Sequence, residues 1–429
     1  MPVSTIAKFP FAALLLLALS PCALGQAPRQ DLMEAAQREQ PRLLGSLEQF
    51  CAIESDSRNV EGLARLADLL AARLRALGGE VEILPTEEVY RMEDTPAEPG
   101  RVVKGVFRGT GTKKLLLLAH MDTVYPQGTG SSQPFAIKDD KVYGLAIADD
   151  KQGLAVVLHV LAMLKAVDWR GYGEITVLFN GDEEISSPAS REAIQRHAQE
   201  ADAVMSFEGS GASNDKLSLA TAGIASVMMT VYGRAEHAGG APQDGVNALY
   251  EMAHQVLQMR DLTDPAIGLR LNWTMAKAGV VRNMVPPLAT AEADIRALRL
   301  RDYLSLEKTM QERIQFHLLP EAQVTLKFER RRPPLEATQA SRALGEAARK
   351  IYLNELGLLL NVDDEAEGGG TDAGFAGVKA KGPVIERFGL RGAGAHGSAP
   401  EYVLQSSIVP RLYLAARVIQ LVSEAADRP

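Results

Sequence analysis

Leu115-Leu-Leu-Leu-Ala-His-Met-Asp122 is the stretch whose reading decides the fold. Residues 115–119 are apolar without alternation, which suits a central strand covered on both faces rather than one open to water. His120 and Asp122 follow at once, where a polar pair is expensive to bury unless it has partners. Outward from this run, strands are predicted at 81–84, 102–107, 175–179 and 203–207. Helices fall at about 153–165 and 190–197. Residues 31–77 read as helical, with Leu43, Leu47, Phe50, Leu63, Leu66, Leu70 and Leu74 at three- and four-residue spacing, until Gly78-Gly79 stops the pattern. Strands alternating with helices predict an α/β fold, a mostly parallel sheet flanked by helices. Such sheets bind ligands beyond the carboxyl ends of their strands.

The pattern changes after Ala222. Strand 225–232, helix 246–259, strands 273–280 and 290–296, helix 303–316 and strand 323–328 make a β-α-β-β-α-β unit, the split βαβ or ferredoxin-like arrangement. Residues 222–333 are therefore expected to form an inserted α+β lid or dimerisation domain of ordinary domain size. The main domain is split into residues 26–221 and 334–429. Helices at about 338–353 and 406–422 close the chain, with Gly368-Gly-Gly-Thr-Asp372 and Gly392-Ala-Gly-Ala-His396 between them.

At 429 residues, two or three domains are expected from length alone. With 46% hydrophobic and 23% charged residues the composition is that of a folded globular protein. A formal net charge of -8 disfavours nucleic acid and anionic membrane surfaces as partners. Residues 1–25 read as a secretory signal peptide: Lys8, an apolar run over 11–19, Pro21, then Ala23 and Gly25, with cleavage expected after Gly25. The run is shorter than the roughly 20 residues needed to span a bilayer, and Pro21 directly before Cys22 argues against a lipoprotein signal. A secreted, periplasmic protein without a stable membrane anchor is expected. Removal of the signal leaves Cys51 alone, so no intramolecular disulfide is available and cysteine carries neither metal ligation nor catalysis.

Five zinc-type ligands then stand in a fixed order: His120, Asp149, Glu184, Glu208 and His396. His120 and Glu208 sit at strand ends, and Glu184 follows the end of another. Asp122 is close enough in sequence to fix the tautomer of His120. Asp149-Asp150 precedes a helix and by itself reads better as an N-cap with a favourable dipole. Glu183-Glu184 reads equally as a solvated turn. Two adjacent carboxylates nevertheless give a site both a metal ligand and a free base, and acids gathered this closely repel one another without cations.

Taken in order, the stretches 119–125, 144–151, 180–184, 206–208, Ala235-Glu-His-Ala-Gly239, 368–372 and 395–402 resemble one superfamily. It is the acetylornithine deacetylase, succinyl-diaminopimelate desuccinylase and carboxypeptidase group of co-catalytic zinc hydrolases. The branch is that of the glutamate carboxypeptidases (carboxypeptidase G type). The resemblance implies two Zn²⁺ per chain, with Co²⁺ or Mn²⁺ as possible substitutes. His120 and Glu208 would hold one ion, Glu184 and His396 the other, and Asp149 both. It further implies a cis peptide between Asp149 and Asp150, Glu183 as general base with Asp122 supporting the site, and His237 as an oxyanion stabiliser supplied by the partner of a homodimer formed through the insert. Asn283, Arg296 and Arg332 would grip the substrate α-carboxylate, and Lys216 and Ser218 the side-chain carboxylate of a C-terminal glutamate. The implied partners are small peptides or N-acyl amino acids.

Three departures from the family pattern border the site. Gln152 stands where glycine is usual, which predicts a less closely packed helix start. Ser186-Ser-Pro-Ala-Ser190 lacks the usual glycine, and His396-Gly-Ser-Ala-Pro400 lacks the usual polar run. An aminoacylase or dipeptidase on the same scaffold and an inactive peptide- or zinc-binding relative stay open as readings. A dinucleotide-binding protein is remote, since no G-x-G-x-x-G follows the first strand.

Overall fold

The structure is a computed structural model that describes Met1 and residues 27–86 and 88–425. The expected signal peptide beyond Met1, Cys22 included, lies outside the described residues. The main sheet has six strands in the order Glu80–Leu84, Val102–Arg108, Glu174–Asn180, Lys114–His120, Ala203–Ser206 and Val384–Ile385. Val102–Arg108 alone runs against the others, so the sheet is mostly parallel, as expected. Its central strand is covered on both faces. Leu115, Leu117 and Ala119 join a core with the helices Gln30–Cys51, Gln152–Ala166 and Ile408–Glu424, while Leu116 and Leu118 pack with Ile194 and Phe375 of the opposite helix layer. The Gln152–Ala166 helix is buried almost all round, which is why it is apolar all round.

The helical stretch near the N-terminus is two helices, Gln30–Cys51 and Val60–Leu77, the second capped by Asn59 accepting from Gly62 N. The break over residues 52–59 contains neither Gly nor Pro, so periodicity alone could not place it. A further five-stranded sheet, built from strands of two or three residues, went unseen in the sequence because elements so short show no period. It pairs Arg391–Ala393 with Ser210–Gly211 and Tyr402–Leu404. That pairing draws the loop carrying His396 beside the loop carrying Glu208.

Residues 223–332 form the expected β-α-β-β-α-β unit. Four antiparallel strands lie in the order Arg270–Ala278, Leu288–Ala297, Gly223–Tyr232 and Gln323–Arg332. The helices Ala248–Gln258 and Leu300–Arg313 cover one face, around Val227, Met229, Val231, Ile295 and Leu306, a core separate from that of the main sheet. The last strand runs four residues beyond the predicted Phe328, through Glu329-Arg-Arg-Arg332. Charge hid that extension, and it is the extension that carries Arg332 toward the main sheet.

Candidate metal centre

Three neighbouring parallel strands end together. His120 pairs in register with Asn180, and Leu118 with Ser206, so His120, the turn after Asn180 and Glu208 share one rim of the sheet. The Asp149 segment and the His396 loop close over that rim. Asp149 Oδ1 lies 3.0 Å from His120 Nε2, and its Oδ2 lies 3.2 Å from His396 Nε2. Glu208 Oε1 is 3.5 Å from His120 Nε2, and Glu184 Oε2 is 3.2 Å from His396 Nε2. One carboxylate thus faces two imidazoles, and each imidazole faces one further carboxylate. The Asp149–Asp150 peptide is cis, as the resemblance implied.

Asp122 ties the rim together. Fully buried, it accepts from Glu183 N and Glu184 N, each at 3.0 Å, and from Ser57 Oγ at 2.7 Å, while His120 Nδ1 lies 3.4 Å away. Its backbone carbonyl stands 3.0 Å from the same imidazole nitrogen, and its carboxylate holds the Glu183-Glu184 turn through those two amides. Glu401, which the sequence reading passed over, accepts from Ala148 N at 2.8 Å and from Asp149 N at 3.3 Å, and from Tyr125 Oη at 2.6 Å. A lone glutamate 250 residues downstream gives no local signal of such a role.

Asp150 does not cap the following helix, whose N-cap, Lys151, makes no side-chain capping bond. Its carboxylate is buried, accepting from Gln152 Nε2 at 2.7 Å and lying 3.3 Å from His120 N. A Cβ on Gly153 would stand 2.5 Å from both Asp150 carboxylate oxygens, so only glycine leaves that carboxylate its room. The expected looseness at Gln152 is not found. Gln152 is fully buried and also donates to Phe207 O at 3.0 Å and accepts from Leu390 N at 2.5 Å. Amide donors and acceptor replace bare backbone packing there. In place of a glycine turn, Ser186 and Ser187 both take left-handed backbone, φ 70° and 53°, at a cost of about 1–2 kcal/mol each. Bonds hold them: the Ser187 hydroxyl donates to Asp372, and Arg191 Nη2 donates to Ser186 O at 2.6 Å.

Glu183 stands behind this rim, buried, with Arg332 Nη2 2.9 Å from its Oε2 and also donating to its backbone carbonyl. Arg332 is thus placed on the wall of the same cavity, of about 420 Å³, with Asp149, Glu184, Glu208 and His396. The remaining expected substrate residues sit elsewhere. Arg296 donates to both Asp294 carboxylate oxygens and to Gly368 O. Lys216 Nζ is 2.5 Å from Glu367 and 3.4 Å from Asp363, and Ser218 pairs through its backbone with Glu386. His237 and Asn283 are exposed neighbours in the insert, with Ala238 N donating to Asn283 O. None of these five is on the cavity wall within one chain.

The cluster answers its own negative charge with protons. Hydrogen bonds that the protonated ring donates to Asp149 and Glu184 push His396 up to about 11. Burial opposes the charged form of His120, yet Asp122, Asp149 and Glu208 outweigh it and hold its pKa well above the ordinary value. Burial, with Asp149 nearby, raises Glu184 to about 7. Burial likewise lifts Glu183 well above the carboxylate range, against the pull of Arg332. Oxygen and imidazole donors that must take up protons in this way are suited to divalent cations. Ligand atoms of His120, Asp149 and Glu184, and of His120, Asp150 and Glu208, lie within 4.8 Å of one another.

A mostly parallel sheet whose rim gathers two imidazoles around a shared carboxylate, with a further buried glutamate behind, defines a two-metal hydrolase. The chain belongs to peptidase family M20/M25/M40, which matches residues 116–421. It is 45% identical over 397 residues to carboxypeptidase G2 of Pseudomonas sp. (strain RS-16), covering 92% of this chain and 93% of that protein. It is 30% identical to N-acetyl-L-citrulline deacetylase of Xanthomonas campestris pv. campestris, over 45% of this chain and 52% of that one. The crystal structure of aminopeptidase PepT from Bacillus cereus shares the fold, with a TM-score of 0.71 at 19% identity over 90% of this chain and 99% of its own. The chain is a zinc-dependent metallopeptidase, and its donor set fits two zinc ions. Among the described residues no helix is long and apolar enough to cross a membrane.

Proposed function

We propose that this enzyme is an exopeptidase that releases a C-terminal amino acid, glutamate by preference, from small peptides and N-acyl amino acids, folate-like N-acyl glutamates included. The observation that carries the reading is Asp149, with one oxygen toward each histidine, and on the same cavity wall a buried Glu183 that pairs with Arg332 and with neither histidine. In this reading His120 and Glu208 would hold one zinc, Glu184 and His396 the other, and Asp149 would serve both. Asp150 is the rival to Asp149, but its oxygens face Gln152 Nε2 and His120 N instead of the cavity. When bound, the zinc pair acidifies the attacking water and polarises the amide carbonyl. Glu183 accepts the proton of that water and delivers it to the leaving nitrogen. Arg332 keeps the Glu183 carboxylate aimed, and Asp122 fixes the turn on which Glu183 and Glu184 stand.

Asn283, Arg296 and Arg332 are assigned to the substrate α-carboxylate, Lys216 and Ser218 to a glutamate side chain, and His237 to the developing oxyanion. His237 and Asn283 would reach the cavity from the partner of a homodimer. Exposed Met275 on the sheet's edge strand, and Leu249, Tyr250 and Leu257 on the helix Ala248–Gln258, offer the insert an apolar contact. The domain division 26–221, 222–333 and 334–429 belongs to the same reading, as does periplasmic export through residues 1–25.

The test is hydrolysis of a panel of N-acyl amino acids by zinc-loaded enzyme, varying the acyl group and the C-terminal residue separately. Glutamate release above other residues is expected. Selectivity for the acyl group with indifference to the C-terminal residue would replace this reading with an aminoacylase.

Zinc loading should also release protons. Glu184 and His396 hold protons below about 7 and about 11, and the metal requires both bare. Raising the pH through about 7 therefore favours binding, and lowering it favours the metal-free protein. Calorimetry in buffers of different ionisation enthalpy is expected to give net proton release, and zinc affinity should rise with pH across neutrality. Affinity independent of pH would contradict this assignment of the two ligands.

A further inference from the structure

The cations near the centre are mostly answered by acids: Arg332 by Glu183, Arg296 by Asp294, Lys216 by Glu367 and Asp363. Arg387 is different. It lines the same cavity, and among the described residues no acid forms an ion pair with it. Among the described residues its side chain donates from Nη1 to Gly209 O at 2.8 Å, immediately after Glu208. The acids that feel its charge include Glu367, already bound by Lys216, and the buried Glu386. Arg387 is half-buried, so its charge is partly desolvated, and its planar fork keeps free donors.

Its backbone adds a second observation. Arg387 is held at φ 68°, in the left-handed region that a residue with a Cβ adopts only when its surroundings impose it. Arg411 Nη1 donates to Arg387 O at 2.8 Å, and the flanking Glu386 and Phe388 are buried, so the turn is fixed from both sides. A fixed turn that aims an unpaired guanidinium into a cavity with metal ligands is the arrangement expected of a carboxylate receptor.

We infer that Arg387 is a specificity residue, which binds the side-chain carboxylate of an acidic C-terminal residue in the metal cavity. This rests on the exopeptidase reading above and revises one assignment within it: the side-chain carboxylate passes from Lys216 and Ser218, which lie off the cavity wall, to Arg387, which lines it.

The experiment measures kcat/KM on N-acyl-glutamate and N-acyl-alanine for zinc-loaded wild type, Arg387→Gln, Arg387→Lys and Lys216→Met. Glutamine keeps a donor for Gly209 O. The glutamate-to-alanine ratio is expected to fall about 10- to 100-fold in Arg387→Gln, the size of one lost charge-assisted hydrogen bond, chiefly through KM. Arg387→Lys, which keeps charge but not the fork, should fall between. Equal losses on both substrates, or an unchanged ratio with Lys216→Met alone lowering it, would overturn the inference while leaving the glutamate reading standing. A wild type without preference for glutamate would sink both. Zinc content and the melting temperature, read on every variant, separate misfolding from altered specificity, and if Arg387→Gln does not fold the lysine variant decides by the same ratio.

Discussion

Glu183→Gln is expected to keep two zinc ions per chain and to lose about 10²–10⁴-fold in kcat, the usual worth of a positioned general base. The geometry separates these effects. Glu183 makes no contact with either histidine, whereas Glu184 beside it lies 3.2 Å from His396. The amide of glutamine can still meet Arg332 through its carbonyl oxygen, so the pairing that aims the side chain is largely retained. What disappears is the site for a proton. Metal analysis alongside single-turnover kinetics checks the prediction. Zinc lost in proportion to activity would instead make Glu183 a ligand.

The second large effect is expected for Asp149→Ala. Its removal leaves His120 with Glu208 and His396 with Glu184, two remnants of two ligands each, where catalytic zinc ordinarily takes three from the protein. Both ions should be lost, hydrolysis should fall below detection, and the thermal stabilisation gained on adding zinc to wild type should vanish. The protein itself should still fold, because the Asp149 side chain is partly exposed and the rim is held by Asp122 and Glu401, not by Asp149. Dialysis against metal followed by elemental analysis gives the result. An Asp149→Ala variant that retains two ions would transfer the bridging role to Asp150, whose carboxylate lies with His120 and Glu208 within ligand distance of a common point.

How much of this could be read beforehand differs from residue to residue. The run 115–119 gave its strand because a segment buried on both faces must be apolar throughout. His120 gave itself away by standing at that strand's end. The insert was legible from its six alternating elements, each long enough to show a period. Elements below about four residues show no period, and so the small sheet beside His396 and the edge strand Val384–Ile385 were not foreseen. The break between the first two helices was hidden because it uses no Gly or Pro. Gln152 was misjudged because a missing glycine was taken as lost packing, when its amide fills the space and bonds on three sides.

By itself the sequence determined the sheet, the insert and the ordered candidate ligands, because strand period, helix period and donor chemistry are local properties. Tertiary structure alone decided the pairing of those ligands, with Asp149 facing both histidines and Asp122 binding two consecutive backbone amides. It alone showed Arg332, Arg296 and Lys216 each answered by an acid, and Arg387 on the cavity wall bonded to a backbone carbonyl instead. Charge compensation depends on distances between residues far apart in the chain, and no spacing along a sequence encodes them.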